Sequence, residues 1–346
     1  MRRLTLLLFI AAAPIVLTAG PAFACAGLVG ENGTIQLTRT TTLAAYHNGV
    51  ERYVTGFEFT GQGQEVGSIV PLPGIPTKVE RGGDWTLQRL EREVQPPIPE
   101  PLAFDGVAKT AAPAQVILET KVDALDITIL RGGGKAVGKW AIDHGFLLTP
   151  DAPEVLDFYS RRSPIFMAAR FDAARATALG QNQGDGTPIM LTIPTREPWV
   201  PLRILGLGQG KANVVSADVF LLTDREPLLR AGTGLTLARS ERAASGLLAD
   251  LHNDKHMGWV PSDMWLSFLR LDVPAGRLNY DLAVSTHQGT VPSAVDAGRE
   301  STGLEVAQGS DTTLWSVVGG VVLASLGVVV FVARRAKRSH AAAAQV

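Results

Sequence analysis

Cys25 is the only cysteine in 346 residues. No intramolecular disulfide can form, so the fold must be held by burial alone, which is feasible for a region of this size. No repeat period runs through the chain, and no low-complexity tract occurs apart from residues 341–344. Nucleophile signatures are missing too: there is no G-x-S-x-G, no S-x-x-K, and no second cysteine or base placed beside Cys25. Three stretches lack charge of one sign or of both. Residues 314–333 (LWSVVGGVVLASLGVVVFVA) carry no charge at all, and the two ends of the chain carry no acid.

The uncharged stretch is long enough, at about 1.5 Å per residue, to cross the ~30 Å hydrocarbon core of a bilayer as a helix. Arg334, Arg335, Lys337 and Arg338 follow at once, which places the tail 334–346 in the cytoplasm and everything before the span outside. At the other end, Arg2 and Arg3 precede an apolar run over 4–17 and an Ala22-Phe23-Ala24 cleavage pattern, the form of a secretory signal peptide over 1–24. A lipoprotein leader with Cys25 acylated competes with it. A lipobox, however, favours an aliphatic residue where Ala22 stands and a small one where Phe23 stands, and a spanning helix already anchors the chain. Ser316, Gly320 and Ala324 recur at four-residue intervals along the span, a small-residue face suited to self-association or to docking on another membrane protein.

The total of 32 Lys and Arg against 33 Asp and Glu looks balanced. Six of those bases flank the termini, leaving the exported part 26 bases against 33 acids. Such a surface is a poor match for nucleic acid, whose binding rests on phosphate neutralisation.

Between leader and span, β-rich runs over 35–46 and 53–60 are joined through His47-Asn48-Gly49, a strong hairpin signal. Tyr53, Thr55, Phe57 and Phe59 share the face that period-2 alternation buries. A strand over 66–73 ends in prolines, a short helix covers 85–94, and Pro96, Pro97, Pro99 and Pro101 stiffen a connection that marks a subdomain seam near 95–115. Strands are predicted over 116–120, 124–130, 165–171, 189–193, 199–205, 214–223, 264–271 and 280–285. Helices are predicted over 135–144, over a segment starting after Asp151 with Glu154 completing a capping box, and over 240–251. Residues 180–187 read as a loop and 286–313 as a flexible stalk. Because strands and helices alternate without regular βαβ spacing, the fold class is α+β, a β-rich exported domain over 25–285 with several short helices, plus one C-terminal transmembrane helix.

The ordered motifs resemble the bacterial DUF2330 family of exported proteins. The resemblance covers most of 25–224. It rests on the Cys at the mature start, Ile69-Val70-Pro71-Leu72-Pro73, Asp126-Ile127-Thr128-Ile129-Leu130 leading to Trp140 and His144-Gly145-Phe146, Phe166 to Arg170, Val200-Pro201-Leu202-Arg203, and Asp218-Val219-Phe220-Leu221-Leu222-Thr223. The family carries no assigned activity, so the resemblance implies an exported domain and assigns no catalytic residue. Where relatives have further cysteines, the one matching Cys25 can pair; here it cannot.

Four features carry candidate chemistry. Gly133 to Lys139 satisfies G-x-x-x-x-G-K, but Trp140 stands where a P-loop needs Ser or Thr, so it reads as a glycine-rich turn and no cofactor site is expected. His252 and His256 are spaced i, i+4 and on a helix could share a metal, although zinc usually recruits a third protein ligand; the plainer reading is a polar helix end. His144 on an apolar helix face is a candidate base or a hydrogen-bonded core residue. Arg170 and Arg203, read as strand residues, could hold an anionic ligand or an internal acid. Two function classes therefore stand. One is a single-pass surface protein that binds a protein partner or an envelope ligand; the other is an exported hydrolase using His252, His256 and an acid from elsewhere.

Overall fold

The computed structural model describes residues 27–30, 39–56, 66–94, 115–180, 188–287 and 289–299. The chain divides into two units, Met1–Arg299 and Glu300–Val346, and every described residue belongs to the first. The leader with Cys25, Phe57 and Phe59, the proline-rich connection, most of the 180–187 loop, and the span with Ser316, Gly320 and Ala324 all lie outside the described residues. Among the described residues no helix is long and apolar enough to cross a membrane.

A short strand, β1 (Gly27–Gly30), precedes the expected hairpin, which forms as β2 (Thr40–His47) and β3 (Val50–Gly56). Both turn residues have positive φ, Asn48 at 52° and Gly49 at 76°, the backbone that a two-residue turn of matching twist requires. Next come β4 (Val66–Pro71), β5 (Lys78–Arg81) and helix α1 (Thr86–Val94). The middle of the chain supplies β6 (Gln115–Val122), β7 (Leu125–Arg131), helices α2 (Gly134–Asp143) and α3 (Ala152–Arg162), β8 (Ile165–Phe171), the short α4 (Ala173–Ala178) and β9 (Pro188–Pro194). The remainder gives β10 (Trp199–Val200), β11 (Val214–Thr223), β12 (Leu228–Arg230), β13 (Leu235–Arg242), helix α5 (Ser245–Asn253), β14 (Trp265–Pro274) and β15 (Leu282–Ser285).

Three sheets result, ordered β13-β14-β11-β2-β3-β9-β5, β1-β4-β8-β7-β6 and β10-β15-β12. All pairings are antiparallel except β11 with β2. Alternation along the strands explains the layering. On the seven-stranded sheet Tyr53, Val219, Leu221 and Leu271 face one way and meet Ile127, Ile129 and Met167 of the five-stranded sheet and Leu282 of the small one. Leu43, Val54, Phe220 and Phe268 face the other way and are covered by Leu90 of α1 and Leu247 and Leu251 of α5. The outer face of the five-stranded sheet, with Ile69, Leu130 and Phe166, is covered by Val137, Trp140, Leu156 and Tyr159 of α2 and α3. The architecture is thus helix, sheet, sheet, helix: β-rich α+β, as the sequence indicates. β11, buried on both faces, reads as a largely apolar run for that reason, whereas β2 buries Thr40, Thr41 and Thr42 beside its apolar residues.

Several elements differ from the expectation. The strand predicted over 199–205 stops at Val200. Pro201 has no N–H for a ladder, and the amides of Leu202 and Arg203 turn inward to the Asp281 carboxylate (2.9 and 3.2 Å), so Arg203–Gly206 forms a 3-10 turn. The helix predicted over 240–251 begins only at Ser245, because the residues before it are β13, an exposed edge strand whose polar composition hides its pairing with β14. Asp151 stands at the N-cap of α3 but its side chain makes no capping bond; its carboxylate accepts from the Gly208 amide at 3.0 Å instead. Residues 293–299, expected within the stalk, pack on the domain: Ala297 is fully buried, its carbonyl accepts from the Asp281 amide at 2.9 Å, and Gly298 sits against the Phe158 ring.

The end of α5 and the start of α1 are tied by one side chain. Asp254, 4% exposed, accepts from the amides of Asp84 (3.0 Å) and Trp85 (3.1 Å) and from the Thr86 hydroxyl (2.7 Å). A carboxylate at a helix start satisfies N–H groups that the helix itself cannot and meets the positive end of its dipole. Asp254→Ala is expected to cost about 2–3 kcal/mol, through lost charge-assisted bonds and stranded donors, with Asp254→Asn recovering part of it. Denaturant midpoints at unchanged slope measure this; a loss under about 0.5 kcal/mol would reject the cap as a structural tie.

Candidate functional site

Tyr46 and Glu51 are opposite one another in the hairpin, and alternation puts both on the face that carries Ala44 and Tyr53. That face looks across to β10 and β15. Beside the Asn48–Gly49 end of the sheet the two layers leave a small recess with room for about one water molecule. The large sheet contributes Ala44, Tyr46, Glu51, Leu221 and Thr223, and the opposite wall contributes Pro198, Val200 and Val284.

Glu51 has no exposed surface, and no side chain among the described residues donates to its carboxyl; the Trp199 backbone amide is its hydrogen-bonding neighbour. Burial pushes its pKa up from 4.5 to about 8; the Trp199 backbone amide and the Arg162 guanidinium favour the charged form, and neither offsets the desolvation. The two hydroxyls of the recess spend their protons elsewhere. Tyr46 donates to the Thr195 carbonyl at 3.0 Å, and Thr223 donates to the Arg225 carbonyl at 2.7 Å. The accessible lining of the recess is therefore apolar.

A second buried acid is the opposite case. Asp281, also fully buried, accepts from the Tyr159 hydroxyl (2.7 Å), the Leu202 amide (2.9 Å), the Arg203 amide (3.2 Å) and the Arg162 guanidinium (2.6 Å). Tyr159 in turn accepts from the Ile204 amide at 2.9 Å, and Arg162 lies over the Trp199 ring at 4.2 Å. Burial raises the Asp281 pKa against the pull of Arg162, Tyr159 and the two amides, and burial together with the Asp281 charge drives Tyr159 well above its ordinary range. Asp218 is likewise committed, to Arg39 at 2.6 and 2.8 Å.

The residues singled out from the sequence are placed apart from the recess. α5 ends at Asn253, so His252 and His256 do not share a helical face. His252 Nδ1 bonds the Val260 carbonyl at 2.8 Å, while His256, at φ 63°, has Nδ1 3.7 Å from Glu80. Among the described residues no group of three His, Cys, Asp or Glu side chains is placed to hold a metal ion. His144 stacks on Trp140 with centroids 3.6 Å apart and bonds its carbonyl at 2.7 Å, and burial lowers its pKa. Arg170 lies 3.6 Å from Asp126. Arg203, on the 3-10 turn rather than a strand, pairs with Glu154 and covers Phe158 at 4.2 Å. In the G-x-x-x-x-G-K stretch Gly134 serves packing, since a Cβ there would collide with the Asp157 backbone of α3. His47 meets Asp224, but alternation turns His47 to the sheet face opposite Glu51.

Glu51 carried a signal that the sequence reading passed over. It stands two residues before Tyr53, so extending the buried-face alternation backwards by one step puts a glutamate inside.

A family profile described as an uncharacterized protein conserved in bacteria, DUF2330, matches residues 19–225. The chain belongs to the DUF2330 family. The match ends just after β11, and Asp254, Asp281 and β12 to β15 of this DUF2330 protein lie beyond it. No curated protein matches the chain. Solved structures similar to it include baculovirus P35 (9% identity, 75% of this chain and 98% of that one, TM-score 0.39) and the caspase-8/P35 complex (10% identity, 71% and 90%, TM-score 0.32). A mutated baculovirus P35 after caspase cleavage is also similar (9% identity, 71% and 99%, TM-score 0.37). Likeness at this level says nothing of what the DUF2330 domain binds.

Proposed function

We propose that this DUF2330 protein is a single-pass membrane protein whose domain lies outside the cytoplasm and binds a partner or envelope ligand without chemistry of its own. The uncharged stretch 314–333 and the four bases behind it support the anchor and its orientation, and the leader over 1–24 supports export. Ser316, Gly320 and Ala324 give the span a face for pairing.

The observation that carries binding over catalysis is how the polar groups are employed. Asp218, Asp254 and Asp281 are each engaged by donors from the fold, and ring nitrogens of His144 and His252 bond backbone carbonyls. Groups held this way are employed in positioning elements of the fold. Reporter fusions test the topology: an enzyme active only outside the cytoplasm should work when fused after Arg299 and fail after Val346. Activity at both positions, or full-length protein remaining in the aqueous fraction, would sink the anchor. Cross-linking in intact cells tests the binding half.

A further inference from the structure

β6 forms one rim of the five-stranded sheet. We infer that two copies of the domain meet at this rim, pairing β6 with β6 antiparallel about a two-fold axis at Thr120. This deepens the binding reading, on which it rests, by making the partner a second copy of the chain.

Three observations single out residues 118–122. β6 pairs with β7 on one side only, and among the described residues no backbone bond reaches its other side. About half of its amides and carbonyls therefore face outward, a ready template for another strand. The pairing is regular here, since its one irregularity lies earlier, between Val116 and Leu118. The two faces also differ in kind. Leu118, Thr120 and Val122 stand opposite Ile129, Ile127 and Leu125 on the side of the apolar interior, whereas Glu119 and Lys121 are exposed on the other side. Lys121 reaches Asp126 of its own chain at 3.0 Å, while Glu119 makes no ion pair among the described residues. β13, a rim of the large sheet, lacks such a free charge, because its Arg239 and Glu241 already pair with each other.

The faces fix the register. Two copies keep Leu118, Thr120 and Val122 on one continuous interior side only when even positions face even ones, because a slip by one residue turns the second strand inside out. Among such registers, centring on Glu119 sets that carboxylate against itself, and centring on Lys121 does the same to the ammonium; like charges directly opposite repel. Centring on Leu118 draws in the irregular stretch and leaves both charges unmatched, and centring on Val122 runs into the turn at Asp123, whose φ is 49°. Centring on Thr120 sets Glu119 opposite Lys121 on each side of the axis and Leu118 opposite Val122 within the joined interior. Charges on a sheet rim ordinarily keep other strands away. Here they oppose every register but one, and that one is met by the same sequence running the other way, the self-complementarity that a two-fold interface requires.

The test uses full-length protein in detergent carrying Cys25→Ser, so that an introduced cysteine is the only thiol. Facing Cα atoms at the axis lie about 4.5–5.5 Å apart, within disulfide reach, so Thr120→Cys should give a linked dimer on mild oxidation with copper phenanthroline. Adding Glu119→Lys or Lys121→Glu should each slow linking at least about tenfold at low salt, because two attractive pairs become two repulsive ones. Mixing the two reversed proteins, one of them carrying a size tag, should restore linking as mixed dimers, since each supplies the charge that the other's changed position needs. Absence of the Thr120→Cys link, linking indifferent to the single reversals, or reversals that mixing does not rescue would each overturn the assignment. Should Thr120→Cys not fold, sedimentation of the two reversed proteins, separately and mixed, decides in the same way. Pairing through the span is blind to residues 119 and 121, and the reporter fusions do not involve β6, so a failure here leaves the topology untouched. A different protein trapped in intact cells, with no Thr120→Cys link, would overturn the self-pairing and spare the binding reading.

Discussion

Asp281→Ala is expected to destabilise the domain by about 3–5 kcal/mol, the range found when one partner of a buried ion pair is removed and the other is stranded. Arg162 would keep its charge beneath Trp199 with no carboxylate to meet, the Tyr159 hydroxyl would lose its acceptor, and the Leu202 and Arg203 amides would lose theirs. Those four donors come from α3 and from the turn after β10, so one deletion loosens both from β15. Asp281→Asn should lose less, since a carbonyl oxygen remains to accept. Equilibrium denaturation at fixed pH measures both; a cost near 1 kcal/mol for Asp281→Ala would mean the network is better solvated than its burial indicates.

Glu51 gives the second large effect, with a definite sign. Its pKa rises from 4.5 to about 8 on folding, so the folded chain holds a proton that the unfolded chain releases. Stability is then greatest below about pH 4.5 as far as this group is concerned, and it declines as pH rises through the window from 4.5 to about 8. At about 1.4 kcal/mol per pH unit the total decline is of the order of 4–5 kcal/mol. Glu51→Gln, which cannot ionise, should remove this decline and be more stable than wild type at pH 8. Parallel stability curves for the two proteins across that window would refute the buried, desolvated carboxyl.

Local pattern was enough for much of the fold. The Asn48–Gly49 turn, the α2 face of Val137, Trp140 and Ala141, and the apolar β11 are written in neighbouring residues, and each forms close to where the pattern puts it. What pattern could not show depends on partners far along the chain. The turn after Val200 is dictated by Asp281, 79 residues from Leu202. The capping of α1 comes from Asp254, about 170 residues away, so a search for caps within the same segment cannot find it. β13 was hidden because an exposed edge strand has no buried face to alternate. The His252 and His256 spacing promised a common face only while a helix continued, and α5 stops between them. Glu51 was legible by alternation alone, but a glutamate beside a turn invites the assumption that it points to water.

The parallel pairing of β2 with β11 sets the order of events when the molecule is made. Arg39, at the mouth of β2, meets Asp218 179 residues later, and the register from Thr40 with Ala217 to Tyr46 with Thr223 lies inside the largest sheet. Its first hairpin therefore emerges from the ribosome long before the strand that completes it, with one edge bare throughout. Distant closure of this kind is slow. Assembly of the central sheet is consequently a late, whole-chain event, and the newborn polypeptide needs shielding from other sticky strands until β11 arrives.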